Sequence, residues 1–134
     1  MMSGSRWVAV MVLAACVVCF TSCQRVAANQ NTQTVSIAMN PDGTCTQNSS
    51  SGVIDIYKNQ QVVYQGATAL NQFQVQFSTC PFSSCPVNSP SGTAMNVGAP
   101  TGAVGTTYNL SGMTINNQQC KSVSPLGLRI KGGP

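Results

Sequence analysis

From Asn71 to Pro86 the chain reads Asn-Gln-Phe-Gln-Val-Gln-Phe-Ser-Thr-Cys-Pro-Phe-Ser-Ser-Cys-Pro. Phe73, Val75 and Phe77 alternate with Gln72, Gln74 and Gln76, so an extended backbone puts the apolar side chains on one face and the amides on the other. Period-two alternation marks a strand with one buried face. The strand runs straight into a short loop closed by Cys80 and Cys85. Three of the chain's four phenylalanines, Phe73, Phe77 and Phe82, lie here. This stretch is expected to be the central strand of an all-β domain.

The rest of the chain repeats that pattern in shorter pieces. Val35, Ile37 and Met39 alternate over 34–39, and Ile54 and Ile56 flank an outward Asp55. Further short strands follow at 62–64, 93–97, 108–110, 113–115 and 126–130. The apolar parity changes between Tyr108/Leu110 and Met113/Ile115, which predicts a bulge or break at Gly112. Turns separate the strands: Asn40-Pro41-Asp42-Gly43 presets its own dihedrals, and Lys58-Asn59-Gln60 reverses the chain. Gln47 to Gly52 reads as a polar loop, and the prolines at 81, 86 and 90 make 81–92 irregular. Seven to eight short strands without a helical period predict an antiparallel β-sandwich. The chain has 134 residues, enough for one such domain.

The first residues carry an address. Met1–Arg6 has one positive charge, Trp7–Phe20 is almost wholly apolar, and Ser22-Cys23-Gln24 ends the run. That is the layout of a secretory signal. The apolar run is shorter than the about 20 residues a spanning helix needs. Phe20-Thr21-Ser22-Cys23 resembles a bacterial lipobox, in which the cysteine becomes the lipidated first residue. Leu13-Ala14-Ala15-Cys16 matches that motif more closely residue by residue, but lipidation at Cys16 leaves Val17–Phe20 on the mature chain, so Cys23 is preferred and Cys16 is the alternative. Ordinary cleavage after Val26-Ala27-Ala28 is a third reading. The expected organisation is a signal peptide at 1–22, a polar tether at 23–33 and a sandwich domain at 34–134. The lipobox resemblance implies a bacterial envelope protein attached to the membrane by its lipid, in the outer membrane or at the cell surface. Without the lipid, the protein is secreted or periplasmic.

Beyond the signal region Cys45, Cys80, Cys85 and Cys120 remain. Four cysteines in an exported domain predict two disulfides with three possible pairings. Sequence proximity favours Cys80–Cys85 with Cys45–Cys120. Chain entropy does not decide: that pairing gives roughly 2 and 4.5 kcal/mol, and Cys45–Cys80 with Cys85–Cys120 gives roughly 4 each. A four-cysteine zinc site usually needs two close pairs, and only Cys80 and Cys85 are close. Their four intervening residues also depart from a thioredoxin-type redox motif.

Composition narrows the chemistry further. Six cations face two acids, so the net charge of +4 reflects few acids rather than a basic patch. That argues against nucleic acid as a partner. The chain has no histidine, which removes imidazole-assisted serine or cysteine catalysis. Asp42 in a turn and Asp55 on an outer strand face do not form an acid–base pair. Neither Ser-x-x-Lys nor Gly-x-Ser-x-Gly occurs, and the glycines of 98–105 form no phosphate-cradling motif. Met39, Met95 and Met113 have inward parity and are expected to fill core rather than hold metal. Tyr57, Tyr64 and Tyr108 are read as strand residues packing at the sheet edges, with a sugar- or peptide-binding face as the alternative. Asn48-Ser49-Ser50 and Asn109-Leu110-Ser111 match glycosylation sequons, which carry little weight if the signal is bacterial. No catalytic residue, metal ligand or cofactor is assigned.

From Val53 onward the order of features resembles a cupredoxin-like sandwich. Lys58 to Tyr64 is similar to the turn and strand before that family's first ligand loop, and Phe73–Phe77 to the strand after it. Gly105-Thr106-Thr107-Tyr108-Asn109-Leu110 is similar to the strand leading into the ligand-cysteine loop, and Leu126–Lys131 to the closing strand. The resemblance implies the fold; an immunoglobulin-like sandwich is the rival. Both family histidines are missing, so the family's electron-transfer role is carried to no residue. The expected function is a non-catalytic envelope module with a binding or structural role and an unspecified protein or glycan partner. The alternative is a serine–lysine hydrolase of the envelope, and Lys58 or Lys121 beside a serine in a closed pocket would favour it.

Overall fold

The computed structural model describes residues 31–133. The signal peptide and both lipidation candidates, Cys23 and Cys16, lie outside the described residues. Ten strands form: β1 (Thr32–Met39), β2 (Cys45–Gln47), β3 (Val53–Tyr57), β4 (Gln61–Gly66), β5 (Phe73–Phe77), β6 (Val87–Ser89), β7 (Met95–Gly98), β8 (Thr107–Ile115), β9 (Gln118–Gln119) and β10 (Gly127–Lys131). No helix occurs among the described residues. The strands make two sheets, β2-β1-β4-β7 and β3-β10-β8-β5-β6, with β9 added to β8. The architecture is a β-sandwich, as the alternation predicts.

The sheets are mixed rather than purely antiparallel. β1 runs parallel to β4, and β10 parallel to β3. The cause is the path of the chain. Residues 48–52 carry it from the first sheet to the second, and the Tyr57–Gln60 turn, closed by Gln60 N–H donating to the Tyr57 carbonyl at 3.0 Å, carries it back. β3 therefore lies in the opposite sheet from its sequence neighbours β2 and β4, and β3 and β4 each pair in parallel with a strand distant in sequence, β10 and β1, as parallel pairing demands.

Other local expectations are corrected in the same way. The first strand begins at Thr32, two residues ahead of the expected position. Gln47 belongs to β2 and is buried; its Nε2 donates to the carbonyls of Gly52 at 3.0 Å and Gly127 at 3.2 Å, tying the first sheet to β10 of the second. The irregular stretch 81–92 contains β6, which adds to β5 as an edge strand. The strand around Val75 is not central: β8 takes that place, with β10, β5 and β9 all paired to it. β9 leaves no alternation to read because it is two residues long and sits behind the tight Asn116-Asn117 turn. Both asparagines have positive φ, 51° and 67°. Asparagine tolerates that region, and a two-residue turn with both φ positive matches the twist of a hairpin.

The parity change in β8 is a bulge. Gln76 pairs with Gly112 and Phe77 with Leu110, so Ser111 has no partner across the ladder. The extra residue lets Tyr108 and Leu110 on one side of it, and Met113 and Ile115 on the other, all reach the core. There they meet Val35, Ile37, Val62 and Tyr64 from the first sheet and Phe73, Val75, Ile54, Ile56, Leu128 and Ile130 from the second.

Two disulfides close the frame. Cys45–Cys120 joins the start of β2 to the residue after β9, with Cα atoms 5.7 Å apart and 75 residues of separation. Cys80–Cys85, with Cα atoms 5.9 Å apart, closes the loop after β5. This is the pairing that proximity favours. It leaves none of the four sulfurs as a thiolate.

Candidate functional site

The inner and outer faces of the second sheet differ completely. Inward, Phe73, Val75, Val87, Met113 and Ile115 are buried. Outward, the register lines up Asn88 of β6, Gln74 of β5, Thr114 of β8 and Gln119 of β9 in a single row across four strands. On the neighbouring rung Gln76 faces Gly112. Because Gly112 has no side chain, Gln76 and Gln119 lean over it; a Cβ there would lie 3.1 Å from Gln76 Oε1 and 3.6 Å from Gln119 Nε2. Gln76 Nε2 also donates to Gln74 Oε1 at 3.1 Å. The result is a platform of amides and one hydroxyl with no charged side chain in it.

Two concavities lie along this platform. One of about 270 Å³ is lined by Gln72, Phe73, Gln74, Asn88, Pro90 and Thr114. The other, about 300 Å³, lies between Gln76, Phe77, Ser111 and the Cys85-Pro86 arm of the disulfide loop. Phe77 is half-buried and meets Phe82 edge to face, with ring centroids 5.9 Å apart. The second concavity thus has an aromatic side and an amide side. The Asn116-Asn117 turn braces the far end: Asn116 Oδ1 accepts from the Asn71 N–H at 2.6 Å, and Asn117 Oδ1 from Gln72 Nε2. Side-chain amides present donors and acceptors together, which suits ligands rich in hydroxyl or amide groups. The sequence showed the glutamine alternation in β5 but not the row, because the row is made by register across strands far apart in the chain.

The charged candidates lie elsewhere. Asp55 and Arg129 are direct partners across the parallel β3–β10 ladder. Arg129 Nε and Nη2 donate to the two Asp55 oxygens at 2.7 and 3.0 Å, and Lys131 Nζ donates to Oδ2 at 2.8 Å. These cations hold the Asp55 carboxyl at about 2, below its ordinary 3.8. Asp42 caps its own turn, accepting from the Thr44 hydroxyl at 2.6 Å and N–H at 2.9 Å, which lowers its pKa. The acids occupy separate elements, each with its own local partner. Lys58 is exposed and donates to the Gly102 carbonyl at 2.6 Å; Lys121 is exposed and lays its stem over Gly43.

The tyrosines divide. Tyr108 accepts the Ala103 N–H at 2.8 Å and pins the loop before β8. Tyr64 is fully buried, its hydroxyl has no hydrogen-bond partner among the described residues, and burial pushes its pKa well above the ordinary range. Tyr57 is exposed. The copper of the resembled family needs two imidazoles and a thiolate. This chain has no histidine and its four domain cysteines are paired, so its residues do not fit that metal. Met113 is buried in the core, and Met39 and Met95 pack against it.

No family model, no curated protein and no solved structure matches this chain.

Proposed function

We propose that the protein is a non-catalytic envelope module, lipid-anchored through Cys23, that binds an uncharged, hydroxyl-rich glycan on the outer face of its second sheet. The observation that carries this reading is the charge-free row Asn88–Gln74–Thr114–Gln119 with a concavity on its flank. A strand-built platform holds its side chains in place before the ligand arrives, which lowers the ordering cost of binding. Lys58 and Lys121 are both exposed, and the Lys58 amine donates to the Gly102 carbonyl, which supports the binding reading over a serine–lysine hydrolase.

The strand order favours a cupredoxin-like over an immunoglobulin-like relationship. Immunoglobulin sheets are antiparallel throughout, whereas two of the ladders here are parallel. On this reading the protein is a copper-free member with a binding role.

The test is binding of envelope glycans by the purified chain and by Gln74→Ala and Gln76→Ala. Each lost hydrogen bond is worth about 1 kcal/mol, so each variant should bind roughly fivefold to tenfold more weakly with an unchanged melting temperature. Unchanged affinity in both variants refutes the platform. Mass spectrometry of the mature N-terminus tests the anchor independently. An acylated Cys23 is expected, and an unmodified terminus at Asn29 refutes it.

A further inference from the structure

One end of the sandwich differs from the rest of the surface. Among the described residues, Tyr57 and Val104 are the large hydrophobic residues left exposed, at 40% and 53%. Both belong to the end where β3 and β10 finish. Tyr57 pairs with Lys131 across the ladder, and the Lys58 N–H donates to the Lys131 carbonyl at 3.1 Å. Val104 lies against Gly132, next to Lys131, and the following Gly105 N–H donates to the Ile130 carbonyl at 2.7 Å. Lys58 reaches over to the Gly102 carbonyl, closing the patch.

Charge follows the same division. Of the four cations between residues 32 and 133, Lys58, Arg129 and Lys131 belong to this end or the strand leading to it, and only Asp55 opposes them. The opposite end carries Lys121 beside the Asn40–Gly43 turn, which contains Asp42.

The chain also enters the domain here. β1 starts at Thr32, directly beside Gln61, the residue after the Tyr57–Gln60 turn. Residues 24–31 separate Thr32 from Cys23 and can span roughly 30 Å when extended. A tether of that length keeps the domain near a membrane without choosing which side faces it. An exposed tyrosine and valine flanked by lysines supply the choice. Tyrosine rings settle at the headgroup level of bilayers, and lysines are drawn to anionic headgroups.

We infer that the Tyr57–Lys58–Val104–Lys131 end is a membrane-docking surface that seats the domain on a bilayer containing anionic phospholipid. The inference rests on the lipid-anchor reading for its orientation. Seated this way, the domain stands its strands upright on the bilayer, with the amide platform along its side and open to solvent.

Trp7 is the chain's single tryptophan and lies ahead of Cys23, so the mature chain offers a dark background for a reporter. Val104→Trp and Ser122→Trp place one indole at each end. The mature protein, purified from membranes, is mixed with or reconstituted into vesicles of phosphatidylethanolamine and phosphatidylglycerol carrying brominated acyl chains. The expected result is several-fold stronger quenching of the indole at 104 than at 122. Adding Lys58→Glu to Val104→Trp should reduce that quenching at least twofold, with the melting temperature as the check on folding. Equal quenching at both ends, or stronger quenching at 122, overturns the proposal. So does a blue shift at 104 that grows with protein concentration without vesicles, which would mark a second copy, or one that needs envelope protein, which would mark a protein partner. The acylation state of Cys23 is read separately by mass. Loss of the anchor leaves the comparison between 104 and 122 intact, and loss of that comparison leaves the anchor intact.

Discussion

The inner and outer faces of the second sheet come from the same residues in turn, yet they obey different rules. Val75 and Gln74 are neighbours in β5. Val75 is fully buried beneath the first sheet, while Gln74 lies on the open face opposite Thr114 and Asn88. The inner face is constrained by packing, where any charge is left without water or partner. The outer face carries no such packing constraint. Side chains on it can change with little effect on folding, so the lack of charge in the Asn88–Gln74–Thr114–Gln119 row is a property of the surface rather than of the core.

The strongest way to break this comparison is Val75→Asp against Gln74→Asp. A buried, unpaired carboxylate costs several kcal/mol, against a total stability of about 5–15 kcal/mol for a domain. The first variant should therefore fail to fold, while the second should stay within about 0.5 kcal/mol of the parent. Circular dichroism melts decide it, and equal melting temperatures would show the register to be wrong.

The disulfides extend the contrast from faces to layers. Cys45–Cys120 ties an edge of the first sheet to the hairpin of the second across 75 residues, whereas Cys80–Cys85 closes a loop with a separation of 5. Chain entropy assigns about 4.5 kcal/mol to the first and about 2 to the second. Denaturant unfolding of Cys45→Ala with Cys120→Ala, and of Cys80→Ala with Cys85→Ala, should reproduce that order. In the parent, thiol labelling of denatured, unreduced protein should find none of these four cysteines free.

Titration separates inside from outside on a smaller scale. Burial raises the Tyr64 pKa in the folded state, so its contribution to stability is complete below the ordinary tyrosine value of 10.0 and is lost as pH rises beyond it. Each further unit costs up to about 1.4 kcal/mol. Melting temperatures above pH 10.0 should fall less steeply in Tyr64→Phe than in the parent.

Asp55, on the outer face, behaves oppositely and has the smallest expected effect. Its folded pKa is depressed to about 2, so its contribution is present above 3.8 and disappears as pH falls through about 2. The pair is solvent-exposed, and exposed ion pairs contribute little. Asp55→Asn should flatten the acid limb of the melting curve by a degree or so at most, and only between those two values. A larger change would mean that the outer face supports the fold more than its exposure suggests.

Much of the fold was legible because alternation writes burial directly into the chain. Val35, Ile37, Ile54, Ile56, Phe73, Val75, Leu128 and Ile130 were all assignable to the core from parity alone, and all are buried. The bulge was legible too, as a slip in that parity around Gly112. Strands of two or three residues, β2, β6 and β9, were not, because alternation needs several residues to show. Gln47 was misplaced for a related reason: an amide reads as solvent-facing, and only the tertiary structure brings the Gly52 and Gly127 carbonyls to its buried Nε2, while its Oε1 has no partner among the described residues.

What the sequence by itself determined is therefore local: which side chains point inward, where the chain turns, how many cysteines must be paired, and that no histidine is present for catalysis or copper. The tertiary structure decided everything that depends on which strand lies beside which. Parity says nothing about partners, so the parallel ladders, the central place of β8, the amide row across β6, β5, β8 and β9, and the gathering of Tyr57, Val104, Lys58 and Lys131 at one end emerged only when backbone hydrogen bonding set the register between segments far apart in the chain.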